Sequence, residues 1–165
     1  MVTTTPVEEE LLRLAGSVPD PELPVLTLEE LGVVRGVRVL EPGRVVVELT
    51  PTYTGCPAIE TMSADIERVL RGSGVPEVRV VTVLSPAWST DDISAEGRRK
   101  LAEFGIAPPR PQGPGGGPVS VSLAIRCPHC GSTETELLSR FSSTACKALR
   151  RCTACREPFD HFKEL

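Results

Sequence analysis

Apolar residues fall into two periodicities along this chain, and each marks out elements. Behind Thr5-Pro6-Val7-Glu8, the residues Val7, Leu11 and Leu14 recur at helical spacing. Thr5 can cap this helix, Pro6 fits its first position and Glu8 completes a capping box, while Gly16 ends it. Thr27-Leu28-Glu29-Glu30 repeats the capping pattern for a single turn that stops at Gly32. Val33 to Leu40 and Arg44 to Thr50 read as strands around the turn Glu41-Pro42-Gly43, which predicts an antiparallel hairpin. Ile59, Met62, Ile66, Val69 and Leu70 then predict a helix from Pro57 to Arg71, closed by Gly72-Ser73-Gly74. The valine-rich alternation from Glu77 to Leu84 gives a third strand. A right-handed crossover from the second strand through the helix sets this strand parallel to its partner. A last helix is expected from Ala95 to Phe104, and short strands at Ser120 to Ile125, Glu134 to Phe141 and Leu149 to Arg151.

The pattern predicts an α+β protein: a small alpha/beta sandwich with a short mixed sheet, followed by a C-terminal unit of short strands that, with Cys-x-x-Cys pairs at 127–130 and 152–155, reads as a zinc ribbon. From Gly105 to Pro118 the sequence turns to proline and glycine, as a linker does. The expected organisation is a first domain at 1–107, a linker at 108–118 and a second domain at 119–165. No apolar run approaches the roughly 20 residues of a membrane span, and Met1 to Gly16 lacks the basic start and apolar core of a secretory signal. These features predict a cytoplasmic protein with no membrane partner. A formal net charge of -4 argues against nucleic acid as the main partner.

Chemistry enters with the six cysteines. Cys127-Pro128-His129-Cys130 and Cys152-Thr153-Ala154-Cys155 are two knuckles, each able to supply two thiolates. Four sulfurs in a closed tetrahedral shell suit structural zinc, or iron in a rubredoxin-like site. A second domain of under fifty residues is too short to bury a sizeable core and needs such a clip. His129 lies inside a knuckle, where it either replaces a cysteine or faces solvent. The ribbon's basic residues outnumber its acids by two, an excess that a zinc with four thiolates cancels, so protein docking suits it better than nucleic acid. Cys146 lies outside both knuckles beside Lys147, which makes it a candidate second reactive thiol or a small packed residue.

Cys56 ends the stretch Thr50-Pro51-Thr52-Tyr53-Thr54-Gly55-Cys56, between the second strand and the helix. At the carboxyl edge of the sheet and the N-terminus of a helix, a thiol meets free N–H groups and the positive end of the dipole, which favour thiolate. It is a candidate nucleophile, metal ligand or redox centre, set against a plain buried residue at a strand–helix joint. Val18-Pro19-Asp20-Pro21-Glu22-Leu23-Pro24 presents the carboxylates Asp20 and Glu22 in a proline-stiffened loop, where they serve a site or merely the turn.

Asp20-Pro21-Glu22, the hairpin and the Thr54-Gly55-Cys56-Pro57 helix start resemble the SufT-like family of iron–sulfur assembly proteins. A longer ordered set is similar to the D-subunit family of bacterial phenylacetyl-CoA epoxidases. It comprises residues 18–24, residues 49–58, Pro86-Ala87-Trp88, Gly105-Ile106-Ala107-Pro108-Pro109, and the tail from Phe141 to Asp160. The resemblance implies a non-catalytic accessory subunit of the monooxygenase that forms the ring 1,2-epoxide in phenylacetate catabolism. Its partners would be a di-iron oxygenase and a reductase, and its task iron–sulfur cluster assembly or transfer to the reductase. The chain itself has no paired Glu-x-x-His motifs for a di-iron bundle and no dinucleotide fingerprint. On this reading Cys56 holds iron or a cluster transiently, Asp20 or Glu22 is a nearby oxygen ligand or base, and the ribbon docks the client. One cysteine cannot hold a cluster that needs four ligands, so a homodimer or the client would complete the shell. Two alternatives remain, a purely structural adaptor and a cysteine-dependent enzyme; the latter needs a base beside Cys56, and the only histidines, His129 and His161, lie in the ribbon.

Overall fold

Helix α1 spans Pro6–Gly16 and begins with the expected box: the Glu8 N–H donates to the Thr5 hydroxyl, and the Thr5 N–H donates to the Glu8 carboxylate. In this computed structural model, which describes residues 5–41, 43–110 and 124–164, α1 is followed by the single turn α2 (Leu28–Leu31) and strand β1 (Val34–Glu41). Strand β2 (Arg44–Leu49), helix α3 (Ala58–Gly72) and strand β3 (Glu77–Thr82) complete the first sheet. β2 pairs antiparallel with β1 and parallel with β3, so the sheet is mixed, in the order β1-β2-β3. Met62, Ile66 and Leu70 from α3 and Val45, Val47 and Leu49 from β2 are buried, as their spacings require; α1 buries Leu11 and Ala15, while Val7, read as part of its buried stripe, is 61% exposed and Leu14 is half-buried.

Gly32 caps α2 in the left-handed region at φ 76°, and a Cβ there would stand 2.4 Å from the Asp92 carbonyl oxygen. Only glycine admits both the turn and the close approach. The segment after β3 is anchored on the same turn, because the buried Trp88 indole N–H donates to the Leu31 carbonyl at 2.8 Å. Arg35 adds an ion pair to Asp92 at 3.1 Å.

The chain divides into two compact units, Met1–Ser94 and Ala95–Leu165. The second begins with helix α4 (Ala95–Glu103) and the short strand β4 (Ile106–Ala107), followed by β5 (Thr135–Ser139), β6 (Lys147–Cys152) and β7 (Pro158–Phe162). Its sheet runs β4-β7-β6-β5, with β4 parallel to β7 and the other pairs antiparallel. Residues 95–107, read from sequence with the first domain, thus group with the second, because Ile106 and Ala107 pair with Asp160 and His161. The Gly105–Pro118 linker reading accordingly begins too early: residues 106–107 are strand, and Arg110 is tied to Glu164 at 3.0 Å. Residues 111–118, and the first four residues of the strand expected at Ser120 to Ile125, lie outside the described residues, and Ala124 and Ile125 are not in a strand. Among the described residues no helix is long and apolar enough to cross a membrane.

Candidate functional site

Strand β2 ends at Leu49, and the buried Thr50 fixes the start of the next loop by donating its N–H to the Val33 carbonyl at 2.8 Å. The loop turns at Gly55, φ 83°, and delivers Cys56 to the start of α3. Pro57 occupies the N-cap position rather than the first helical one and offers no side-chain cap, so the helix's free N–H groups are left for other acceptors. The Ala58 N–H reaches the Cys56 sulfur, as the helix-terminus argument anticipates, but the net effect is opposite to the expected one. Burial pushes the Cys56 thiol above its ordinary range; the Ala58 N–H and the Tyr53 side chain pull it back, and the charges of Glu22 and Asp20 push it further up. A thiolate is therefore not favoured here, because desolvation and two carboxylates outweigh one turn of helix dipole.

The acidic loop lies near enough for its charges to act on this thiol. Asp20 is 5% exposed, and its Oδ1 accepts the N–H groups of Glu22 at 2.9 Å and Leu23 at 2.6 Å. Burial nevertheless raises its pKa above the usual carboxylate value, the two N–H bonds opposing. Glu22 is partly buried. Cys56, Asp20 and Glu22 thus form one electrostatic group, contributed by two loops of the first unit. Both carboxylates oppose ionisation of the thiol, and a cation bound among the three groups would favour their charged forms.

The four knuckle cysteines converge in the second unit, with all four sulfurs within 4.8 Å of one another. Cys127 Sγ is 3.8 Å from Cys155 Sγ, and Cys130 Sγ is 3.5 Å from Cys152 Sγ. Sulfurs tetrahedrally bound about 2.3 Å from a metal stand about 3.8 Å apart, so this donor set fits a four-coordinate thiolate site. The N–H of His129 points at Cys127 Sγ at 3.4 Å and that of Cys155 at Cys152 Sγ at 3.5 Å, bonds that stabilise charge on sulfur. The Cys155 N–H, foremost among several bonds, brings the Cys152 thiol down to about 7. His129 serves this cluster through its main chain, while its exposed ring lies edge-on to Phe159, 6.5 Å between centroids.

Along 96% of its length the chain is 46% identical to the D-type component of the 1,2-phenylacetyl-CoA epoxidase of Escherichia coli (strain K12), covering 93% of that protein. The chain belongs to the D-subunit family of phenylacetyl-CoA epoxidases. The family model described as PaaD zinc beta ribbon domain matches residues 112–163, and the model described as iron-sulfur cluster assembly protein matches residues 8–85. An Fe-S protein maturation auxiliary factor of Porphyromonas gingivalis (strain ATCC BAA-308 / W83) is 34% identical over 57% of the chain and 90% of its own length. A crystal structure of a domain of unknown function from Bacillus anthracis matches 57% of the chain and 90% of its own, at 31% identity and TM-score 0.53. The α+β architecture and the C-terminal zinc ribbon are therefore those of the D-subunit family.

In this D-subunit family member the remaining candidate, Cys146, is buried, with the Thr144 hydroxyl 3.0 Å from its sulfur. Lys147, expected to acidify it, directs its Nζ to Asp160 Oδ2 at 3.3 Å instead. His161, weighed from sequence only as a base that Cys56 would need, is 5% exposed on β7. Among the described residues its Nε2 has no hydrogen-bond partner, and it lies 3.8 Å from Glu164 Oε1. Burial lowers its basicity to about 4, so it is neutral. The β4–β7 pairing that borders it is invisible in a Gly/Pro-rich stretch.

Proposed function

We propose that this chain is a non-catalytic accessory subunit of a cytoplasmic phenylacetyl-CoA epoxidase. Cys56, Asp20 and Glu22 accept iron or an iron–sulfur cluster as cargo destined for the reductase component, and the ribbon, clipped by zinc on Cys127, Cys130, Cys152 and Cys155, docks the client. The observation that carries this reading is the mutual electrostatics of the Cys56 group. A buried thiol near two carboxylates is a poor resting nucleophile, since burial and both charges oppose its ionisation. The same three become good ligands once a cation offsets their charge, because metal binding and thiol deprotonation are linked. The names of the relatives, an epoxidase component and a maturation factor, support the cargo and the partners.

Metal content tests it. Anaerobically purified wild type and Cys56→Ser are incubated with iron and sulfide, and zinc and iron are counted. Equal zinc in both proteins with iron in the wild type alone is the expected result. The burial of Cys56 favours one second reading, a zinc-stabilised adaptor that bridges subunits. Equal zinc with iron in neither protein overturns the cargo reading in favour of that adaptor.

A further inference from the structure

Helix α4, strand β4 and the first knuckle border a slot in the second unit, with a volume of about 340 Å³. That is the small end of the range for small-molecule sites, about 300–1,000 Å³. Ala102, Ala107, Ile125 and Pro128 give it apolar walls, and Arg110 and Arg126 line it as well. Ala107 and Ile125 belong to the ribbon's small core, so the apolar wall is backed by packed side chains.

The charges at the slot select its occupant. Arg126 is exposed; its Nη1 donates to the Gly131 carbonyl at 2.9 Å, and among the described residues it has no carboxylate partner. Arg110 gives its main-chain N–H and its Nε to one oxygen, Glu164 Oε1, at 3.2 and 3.0 Å. A third guanidinium lies behind the wall: Arg150 Nη2 donates to Thr135 Oγ1 at 3.3 Å, and that hydroxyl donates to the Ile125 carbonyl at 2.8 Å. Burial, and then the charge of Arg110, hold Arg150 below the ordinary guanidinium range, while Glu164 opposes them. His161, 3.8 Å from the same Glu164 oxygen, is neutral and adds no charge. Arg110, Arg126 and Arg150 thus outnumber the carboxylate that serves two of them. An added anion relieves this excess, and the planar guanidinium fork matches a carboxylate. Inorganic phosphate would leave the apolar walls uncovered, and a cation would be repelled.

We propose that this slot binds a small carboxylic acid with an apolar body, its carboxylate toward Arg110 and Arg126 and its body against Ala102, Ala107 and Ile125. The inference is independent of the iron reading, and its readout is ligand binding rather than metal content. Phenylacetate, one ring and one carboxylate, is the probe. It is titrated into the zinc-loaded full-length protein, with amide shifts followed by NMR and with circular dichroism and zinc content confirming that each variant is folded. Saturating shifts are expected in α4, β4 and the first knuckle, with a Kd of about 1 mM or tighter. Phenylacetamide, which lacks the charge, and acetate, which lacks the ring, should each bind about tenfold more weakly or worse. Arg126→Gln should weaken phenylacetate about tenfold and leave phenylacetamide unchanged. Ala102→Leu fills the slot from α4 and should abolish the shifts. A wild type with no saturable shift up to about 10 mM phenylacetate overturns the proposal. So does equal binding of either control compound, or phenylacetate binding that both variants leave unchanged.

Discussion

Asp20 and Cys56, on two separate loops of the first unit, are close enough that the buried carboxylate opposes ionisation of the thiol. Glu22 adds to this with the larger effect of the two. Removing either negative charge lowers the thiol's pKa. The rate of iodoacetamide alkylation at Cys56, followed by mass spectrometry against pH, should rise with a midpoint above the ordinary 9.0 in wild type. Glu22→Gln should move that midpoint down, and Asp20→Asn should move it less. An unchanged midpoint in both would mean that the carboxylates do not act on the sulfur.

Four sulfurs hold the ribbon where its small apolar core, Ala107, Ile125, Cys127, Cys152 and Phe159, is insufficient. Cys130→Ser leaves three ligands and should release the metal and unfold the second unit. The transition of the first unit should persist, so thermal unfolding followed by NMR would show loss of the α4 and β4–β7 signals alone. The same loss is expected when a chelator is added to wild type.

His161 gives the ribbon an acid sensitivity of its own. An unfolded histidine takes up a proton below about pH 6.5, whereas the buried ring resists until about 4. Protons therefore bind the unfolded state first, and stability present above pH 6.5 is lost as the pH falls through that window. Relative to His161→Phe at equal zinc, wild type should lose on the order of 2 kcal/mol between neutral pH and about pH 5. Urea midpoints for the two proteins at both pH values measure the difference.

Trp88→Phe removes the indole N–H from the Leu31 carbonyl, and the cost of an unpaired buried acceptor is about 1–3 kcal/mol. The first unit's melting temperature should drop while the zinc content stays unchanged.

Local pattern carried much of the fold. The capping boxes at Thr5 and Thr27, the hairpin, and the strand–helix–strand crossover each have their determinants within a few residues, and the structure places them within a residue or two of expectation. The knuckle spacings were equally legible, because a Cys-x-x-Cys turn is itself local. What escaped depended on partners distant in sequence. β4 is two residues in a Gly/Pro-rich stretch and exists only through β7, and β7 opens with Pro158, which masks it. The Cys56 thiol was misjudged for the same reason. Its helix terminus is visible in the sequence, whereas its burial, which reverses the balance, and the added charges of Glu22 and Asp20 are not.

The parallel seam between Ile106–Ala107 and Asp160–His161 also sets how this ribbon can be transplanted. A graft cut at the first knuckle, or at the end of the Gly/Pro-rich stretch, would leave β7 as a raw border and His161 without its cover. It would also strand Glu164 without Arg110. The portable cassette is the unit from Ala95 onward, with α4 and β4 carried along as its hem.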